Sequence, residues 1–186
     1  MSLPAVNGNG GVAASGTDSV IPSQSHRLRD LRLLLVFPSR TPVAAMRFDE
    51  LVVGQSAEWA KTVTEADVVL FAGVTGDFNP AHVNQEAAER SRFKGRIAHG
   101  MLGAGFISAA IAMRLPGPGT IYLEQTLRFT APVRIGDTVT ARVEVAELLG
   151  RRRARLTTTC RNQRGEPVIE GEAVVMVPNE TAEPPP

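Results

Sequence analysis

The sequence predicts an α+β domain in which an antiparallel sheet wraps around one central helix. Residues 100–115 are mostly small and apolar, which is typical of a helix buried against a sheet. Four later stretches alternate apolar and polar side chains, as strands with one face toward water do. The order of elements is therefore strand, helix, irregular segment, small-residue helix and a series of strands.

The first elements are a strand at residues 58–63 and the helix that follows it. The strand is predicted from the alternation of its side chains. The helix is predicted to begin after Thr64, because threonine is a common N-cap and Asp67 supplies the acid of a capping box three residues later. Gly73 and Gly76 are expected to end this helix.

The central helix is predicted at residues 100–115, and the Pro-Gly-Pro-Gly run after it ends it. Residues 77–98 before it are predicted to be irregular, with a short helical piece at 85–90. A glycine inside a helix costs about 1 kcal/mol relative to alanine. Because several glycines stand near its start, the helix is expected to be buried on most sides, where close packing offsets that cost.

Strands fill the rest of the domain. The stretch at 120–130 is predicted to place four apolar side chains on one face: Ile121, Leu123, Leu127 and Phe129. A hairpin turn is predicted at 162–165, and the last strand has an inner row of Ile169, Ala173, Val175 and Val177. A single wrapped sheet has exposed edge strands, and edge-to-edge pairing in a homodimer would cover them.

Composition excludes several classes of protein. The chain has 186 residues, of which 43% are hydrophobic, so one packed domain is expected. Lys plus Arg total 20 and Asp plus Glu total 19, a balance that gives no electrostatic footprint for nucleic acid. No apolar run in the sequence approaches the roughly 20 residues of a membrane helix. Cys160 is the only cysteine, so no intrachain disulfide forms, and a reducing compartment such as the cytoplasm is expected.

The two ends of the chain differ in composition from its middle. Residues 1–45 are rich in Gly, Ser and Pro and then in Arg and Leu, and they are predicted to be a disordered extension ahead of a domain at 46–177. A start codon assigned too early and an organelle-targeting segment are two explanations for that extension. Residues 178–186 are predicted to be a disordered tail.

An acid and a histidine stand five residues apart in the segment Asp77-Phe78-Asn79-Pro80-Ala81-His82. Pro80 fixes its own φ and pushes Asn79 out of the helical region, so the chain should bend and bring both side chains to one point. A carboxylate and an imidazole that share one water can take a proton from it and deliver one elsewhere, as the addition of water to a double bond requires. A surface histidine beside an Asx-turn is the purely structural alternative.

A second candidate feature opens the central helix, in the segment Ala98-His99-Gly100-Met101-Leu102. Free backbone N–H groups at a helix N-terminus, assisted by the helix dipole, can hold a carbonyl oxygen that becomes enolate-like. Gly100 would let a ligand approach the backbone closely, or it would only permit tight packing. His99 is interpreted as a hydrogen-bonded, partly buried histidine rather than a catalytic one.

Together the two segments resemble the MaoC-like (R)-specific enoyl-CoA hydratases, a family with a hot-dog fold. That family carries an Asp-Phe-Asn-Pro-x-His signature before the central helix and His-Gly-Met at its start, and both stand here at residues 77–82 and 99–101. Later pieces are also similar to the family: Tyr122-Leu123, Leu127-Arg128-Phe129, Pro132-Val133 and Gly136-Asp137-Thr138-Val139. The resemblance covers about residues 48–177.

The resemblance implies an activity and a role for each site residue. Asp77 and His82 would hold the catalytic water, one taking its proton and the other protonating the α-carbon, with Asp77 favoured as the base. The Gly100 N–H would hold the thioester oxygen. Ser108 would orient Asp77 or the water, unless it only packs the helix, and Asn79 would shape the loop. The reaction would be reversible syn hydration of a trans-2-enoyl thioester of coenzyme A or acyl carrier protein to the (R)-3-hydroxyacyl product, without a metal or redox cofactor.

Two other functions stay open at this point. A hot-dog thioesterase would hydrolyse the same thioester, although hot-dog thioesterases generally place their acid differently. A catalytically silent acyl-binding module, or the partner subunit of a heteromeric dehydratase, is the non-enzymatic alternative, although both candidate catalytic residues are present. Four cations near the motif either contact substrate phosphates or face solvent: Arg90, Arg92, Lys94 and Arg96.

Overall fold

The computed structural model describes residues 45–178, and residues 1–44 and 179–186 lie outside the described part. The extension predicted at 1–45 and the tail predicted at 178–186 therefore fall almost wholly outside the described residues. Within residues 45–178, no helix is long and apolar enough to cross a membrane.

The described residues form four α-helices and five strands after a single turn of 3-10 helix at Phe48–Glu50. The helices are α1 (Glu65–Thr75), α2 (Pro80–Val83), α3 (Gln85–Arg90) and α4 (Gly100–Met113). The strands are β1 (Ser56–Thr62), β2 (Ile121–Phe129), β3 (Thr138–Gly150), β4 (Arg153–Arg161) and β5 (Pro167–Met176). The predicted α+β order is confirmed, and α3 has the bounds that the sequence predicted.

The strands form one antiparallel sheet in the order β1-β3-β4-β5-β2, with β1 and β2 at the edges. One face of the sheet is the core, to which the long strands contribute alternate buried side chains: Val139, Val143, Val145, Ala154, Leu156 and Cys160. Helix α4 packs on this face, mainly against β3 and β1. The predicted arrangement of a sheet around one small-residue helix is confirmed.

The predicted beginning of α1 is confirmed, and its end lies at only one of the two expected glycines. The Thr64 side chain accepts the Asp67 N–H at 3.2 Å, and the Asp67 carboxylate accepts the Thr64 N–H at 2.8 Å, which completes the capping box. Gly76 ends the helix with a φ of 77°, a left-handed conformation that glycine adopts without strain. Gly73 lies inside the helix, because the hydrogen-bond ladder continues past it, so the expectation that it helps to end α1 was wrong.

Strand β2 departs from simple alternation. A β-bulge between Tyr122 and Glu124 inserts one extra residue and shifts the order in which side chains face the core. The cross-strand register therefore puts Tyr122, rather than Leu123, on the same face as Leu127. The prediction that the four apolar residues of this strand share one face was wrong for Ile121 and Leu123.

Helix α4 is covered by the sheet on one side only. Gly103 is buried, and a Cβ at this position would lie 2.8 Å from Ile169 Cδ1, so close packing occurs here as predicted. On the other side, Gly105 has open space around it and Met101 is 56% exposed. The expectation of a helix buried on most sides was wrong, because the five strands of one chain wrap only one face of it.

Candidate active site

The loop after α1 presents the carboxylate of Asp77. Gly76 reverses the chain, and the Asp77 N–H donates to Thr75 Oγ1 at 3.3 Å. The Asp77 Oδ1 accepts the Asn79 N–H at 3.2 Å, an Asx-turn that directs the chain toward Pro80. The side chain is exposed, and within residues 45–178 its second carboxylate oxygen has no hydrogen-bond partner. One oxygen thus shapes the loop while the other stays available.

His82 lies in α2, a one-turn helix that the sequence did not predict. Asn79 caps this helix, since its Oδ1 accepts the Ala81 N–H at 3.0 Å. Pro80 occupies the first helical position, where a backbone N–H is not needed. The backbone of Asn79 has φ −52° and ψ 130°, outside the helical region, as a following proline requires. The Asn79-Pro80 pair, a cap followed by a proline, is the sequence signal from which this helix could have been predicted.

A backbone carbonyl holds the ring of His82. The Nδ1 atom of His82 donates to the Ile97 oxygen at 2.8 Å, and the Ile97 N–H donates to the Ala81 oxygen at 3.1 Å. A carbonyl oxygen only accepts, so Nδ1 carries the proton of this hydrogen bond. The half-buried ring therefore offers Nε2 as its free nitrogen.

His99 lies between the two candidate catalytic residues. Its ring is only 3% exposed, and its Nε2 donates to the backbone oxygen of Asp77 at 2.9 Å. The ring also stacks on that of His82, with centroids 3.9 Å apart and planes 31° from parallel. Phe71 of α1 packs on His99 with ring centroids 4.9 Å apart. The expected hydrogen-bonded, largely buried histidine is thus present at the start of α4.

These three side chains converge. One carboxylate oxygen of Asp77 and one ring nitrogen of each of His82 and His99 lie within 4.8 Å of one another. A water between the Asp77 and His82 atoms can form hydrogen bonds of about 2.8 Å to both.

The same residue types occur in metal sites with two histidines and one carboxylate, where metal–nitrogen bonds measure about 2.1 Å. Each of the two histidines uses one ring nitrogen on a backbone carbonyl oxygen, His82 on Ile97 and His99 on Asp77. Each ring therefore keeps one nitrogen that is not used in these bonds.

A cavity of about 400 Å³ lies beside the histidines. His82, His99 and Gly100 line it, and most of its other lining residues are apolar, among them Phe106, Phe129, Val133, Val168 and Ile169. An apolar cavity with a few convergent polar groups is typical of a small-molecule site.

Gly100 brings a backbone N–H to this cavity. It is the first residue of the 14-residue α4, so its N–H has no partner inside the helix and lies at the positive end of the helix dipole. A Cβ at this position would lie 2.7 Å from Phe129 Cε1. Gly100 is thus tightly packed against Phe129. A larger residue at this position would displace the Phe129 ring, and both residues line the cavity.

Residues 44–164 match the family model described as MaoC like domain. The chain belongs to the MaoC-like family. It is 58% identical over 132 residues to the (R)-specific enoyl-CoA hydratase of Rhodospirillum rubrum, an alignment that covers 70% of this chain and 91% of that protein. It is 52% identical over 139 residues to the 3-hydroxybutyryl-CoA dehydratase of Methylorubrum extorquens, which covers 74% of this chain and 88% of that protein.

A solved structure of a related enzyme has the same fold as this MaoC-like chain. The R-hydratase PhaJ1 from Pseudomonas aeruginosa in its unliganded form matches with a TM-score of 0.72 and 50% sequence identity. The match covers 77% of this chain and 96% of that one. The hot-dog fold expected from the sequence is confirmed.

Ser108 lies apart from the cavity in this MaoC-like chain. It lines a groove on another face of α4, together with Phe71, Met101, Gly105 and Leu123. The role expected for Ser108, which was to orient Asp77 or the water, stays a prediction. Asn79, by contrast, contacts Asp77 directly and caps α2, so its contacts are those of a residue that shapes the loop.

Two of the four cations near the site are held by acids. Arg96 forms a two-pronged pair with Glu65 of α1, and Arg90 pairs with Glu86 one helical turn earlier. The hydrogen bond from Arg96 holds the pKa of the Glu65 carboxyl below its usual range. The Arg96 pair therefore ties the segment before α4 to α1.

The other two cations are free of acidic partners. Within the described residues, Arg92 and Lys94 form no ion pair, and both are exposed. Arg92 also lines the cavity, where its guanidinium lies 4.8 Å from the centre of the Phe93 ring. Arg92 is thus the cation that the structure places at the site.

Sequence reasoning missed the parts of the site that have no local signal. The Ile97 and Asp77 carbonyls that hold the two histidines are backbone groups, which every residue carries. The apolar lining from Phe129 and Ile169 comes from strands distant along the chain. Neither kind of contact follows from residue type or spacing.

Proposed function

We propose that the protein is an (R)-specific enoyl-CoA hydratase, which catalyses reversible syn hydration of trans-2-enoyl thioesters to (R)-3-hydroxyacyl thioesters. The observation that carries this proposal is the convergence of the Asp77 carboxylate and the His82 ring beside an apolar cavity. Relatives that are 58% and 52% identical are named as an (R)-specific enoyl-CoA hydratase and a 3-hydroxybutyryl-CoA dehydratase, which are the two directions of one reaction.

Asp77 is the general base in this proposal. Its Oδ1 is engaged by the Asn79 N–H, so the second carboxylate oxygen takes a proton from the water. As that proton leaves, the water oxygen forms a bond to the β-carbon of the enoyl group. The electron pair of the double bond then moves toward the thioester carbonyl, which becomes enolate-like.

His82 is the general acid. It acts as the imidazolium, with one proton on Nδ1 and a second on Nε2. The Nε2 proton goes to the α-carbon, which leaves a neutral ring whose Nδ1–H still donates to the Ile97 oxygen. Transfer of a proton from Asp77 back to His82 restores both groups, so the net change is the addition of one water. The Gly100 N–H holds the thioester oxygen, where a fixed donor stabilises the developing negative charge.

The decisive experiment follows the ultraviolet absorbance of the enoyl thioester in crotonyl-CoA mixed with the purified protein. We expect a rapid decay with the natural chain and none above background with His82→Ala. An absence of decay with both crotonyl-CoA and a longer enoyl-CoA would contradict the proposal.

The same reaction mixture separates hydration from thioester hydrolysis. Hydrolysis releases free coenzyme A, which a chromogenic thiol reagent traps. Cys160, the only cysteine of the chain, is fully buried, and burial raises the pKa of its thiol to about 12, so the native protein contributes no background to the assay. We expect loss of the double bond without thiol release.

Coenzyme A is the substrate handle that we propose, with Arg92 contacting its phosphates. Replacing Arg92 with Gln should raise KM for crotonyl-CoA several-fold and leave kcat close to normal. KM for crotonyl-N-acetylcysteamine, which carries no phosphate, should not change. Arg90→Gln is the matched control, since the Arg90 guanidinium is already paired with Glu86. Equal effects of Arg92→Gln on both thioesters would contradict the phosphate contact.

We propose that the reaction needs no metal or redox cofactor, because two acid–base groups and one backbone donor supply every proton and charge that it requires. The rate should be the same before and after dialysis against a chelator.

The free thiol of Cys160 supports a reducing compartment such as the cytoplasm.

We propose a homodimer as the working form. Strand β2 is a sheet edge, and two of its apolar side chains, Ile121 and Leu123, are about half exposed. Pairing of this edge with a second copy would satisfy its backbone and cover the open face of α4. Light scattering should give twice the chain mass of 19.9 kDa, or a larger multiple if dimers assemble further. A monomer at micromolar concentration would contradict this proposal.

A further inference from the structure

His99 contacts both proposed catalytic residues through different parts of its ring. Its Nε2–H donates to the backbone oxygen of Asp77 at 2.9 Å. The face of the same ring stacks on His82, with centroids 3.9 Å apart. One side chain at the start of α4 therefore links a loop that follows α1 to the ring in α2.

The loop that carries Asp77 has few other ties. Among the described residues, the bond from His99 is the one hydrogen bond that joins residues 76–79 to a distant part of the chain. The remaining bonds of this stretch are local and span at most four residues, among them those from Asp77 to Thr75 and from Asn79 to Asp77. Because Asp77 is exposed, packing does not hold its side chain in place.

His99 is also a costly residue to bury. It is 3% exposed, and within residues 45–178 its Nδ1 has no hydrogen-bond partner. An unpaired polar atom in the interior destabilises a fold, and an apolar side chain of similar size would avoid that cost. A polar side chain at this position therefore needs a reason, and the hydrogen bond that His99 donates to Asp77 supplies one.

We infer that His99 is a positioning residue that fixes the carboxylate of Asp77 relative to the imidazole of His82. This inference rests on the proposed hydratase activity of the same site. His99 transfers no proton in this role. It acts through its Nε2–H on the Asp77 backbone and through its ring face on His82.

Two substitutions separate the contribution of the Nε2–H donor of His99 from that of its ring face. His99→Phe keeps a ring against His82 and removes the donor to Asp77. His99→Gln keeps an N–H donor at about the same reach as Nε2 and removes the aromatic ring. If positioning of Asp77 dominates, the glutamine variant should retain more activity than the phenylalanine variant, although phenylalanine is the better residue for a buried site.

The test is to measure kcat and KM for crotonyl-CoA with the natural chain and both variants, after circular dichroism shows that each is folded. We expect kcat to fall at least tenfold in His99→Phe with KM within about twofold, since only proton transfer suffers when two acid–base groups lose their alignment. His99→Gln should recover most of kcat. A phenylalanine variant with kcat within twofold of normal, or a glutamine variant no better than it, would overturn the inference.

A second measurement does not depend on turnover. Amide hydrogen exchange in a peptide covering residues 76–79 should be faster in His99→Phe than in the natural chain, and close to natural in His99→Gln. Unchanged exchange in His99→Phe would overturn the inference even if the protein proved not to hydrate crotonyl-CoA. If the natural chain does not hydrate crotonyl-CoA but the exchange pattern is as expected, the result contradicts the proposed function and leaves the contact from His99 to the Asp77 loop supported.

Discussion

Helix α4 has two faces that carry small residues. The polar side chains near one face differ in their hydrogen bonding from those near the other. One face, with Gly100 and Gly103, borders the cavity that His82 and His99 line, and an oxygen of Asp77 lies within 4.8 Å of a nitrogen of each histidine. The other face, with Ala104, Gly105 and Ser108, borders an open groove beside β2. Both faces carry glycine, so glycine content alone does not tell them apart in the sequence.

Two polar side chains of the groove, Tyr122 and Gln125, are hydrogen-bonded to each other and, through Gln125, to strands of the sheet. Tyr122 Oη donates to Gln125 Oε1, and Gln125 Nε2 donates to Thr158 Oγ1 at 3.0 Å and to the Thr126 oxygen at 2.7 Å. Burial and the neighbouring Cys160 raise the pKa of Tyr122 to about 12, so its hydroxyl remains a donor at neutral pH. These hydrogen bonds tie the two side chains to the sheet.

At the cavity, each side chain keeps one atom free. Asp77 uses one carboxylate oxygen in its own loop, and His82 uses one nitrogen on a backbone carbonyl. The second oxygen and the second nitrogen remain for a water. The comparison teaches that convergence of side chains that each keep one atom free distinguishes this site, rather than the presence of polar residues.

The largest expected effect comes from removing the charge of Asp77. Asp77→Asn keeps an oxygen that can accept the Asn79 N–H, so the loop should stay folded. The hydration rate should fall about 10²-fold or more, because a general base contributes at least that much. Initial rates with crotonyl-CoA measure the loss. Asp49→Asn, at an exposed ion pair with Arg47, is the control and should retain the natural rate.

A folded Asp77→Asn variant with more than about a tenth of the natural rate would remove Asp77 from the role of base. The comparison between the two faces would then rest on His82 alone.

The next largest effect is expected on the free energy of unfolding, when a methyl group is added to each face of α4. A methyl group at Gly103 meets Ile169 Cδ1 at 2.8 Å, whereas one at Gly105 meets no atom within 4 Å. We expect Gly105→Ala to be at least as stable as the natural chain, since alanine is the better helix residue by about 1 kcal/mol. Gly103→Ala should have a free energy of unfolding lower than that of Gly105→Ala by about 1–3 kcal/mol, the usual cost of overpacking.

Urea unfolding followed by circular dichroism gives both values. Equal stabilities would show that Ile169 moves aside without cost, and that the cavity face is no more tightly packed than the groove.

The smallest effect is expected at Ser108, on the groove face. Ser108→Ala should change kcat for crotonyl-CoA by no more than about threefold, because Ser108 lines the groove and, among the described residues, no hydrogen bond joins it to Asp77 or His82. A loss of tenfold or more would contradict this division of α4. It would instead support the role suggested by resemblance, in which Ser108 orients Asp77 or the water.

Local sequence signals were sufficient for much of the molecule. The Thr64 cap and the alternating strands depend on neighbouring residues and on a period of two, so they follow from a short window of sequence. Asp77, His82 and Gly100 were identified as candidate site residues because turn-forming residues and a helix N-terminus constrain the backbone nearby. Alternation of side chains does not reveal a β-bulge, so the prediction of which residues of β2 share one face was wrong at the bulge after Tyr122.

What the sequence by itself determined, then, is the order of the elements, the hot-dog architecture through family resemblance, and the residue types at the site. Only the tertiary structure decided which atoms are free. The Ile97 carbonyl selects which nitrogen of His82 is left free, and the ring of His82 stacks on that of His99. It also put Ser108 and Gly100 on different faces of one helix. These contacts join segments that lie far apart in the chain, and long-range packing leaves no trace in residue spacing.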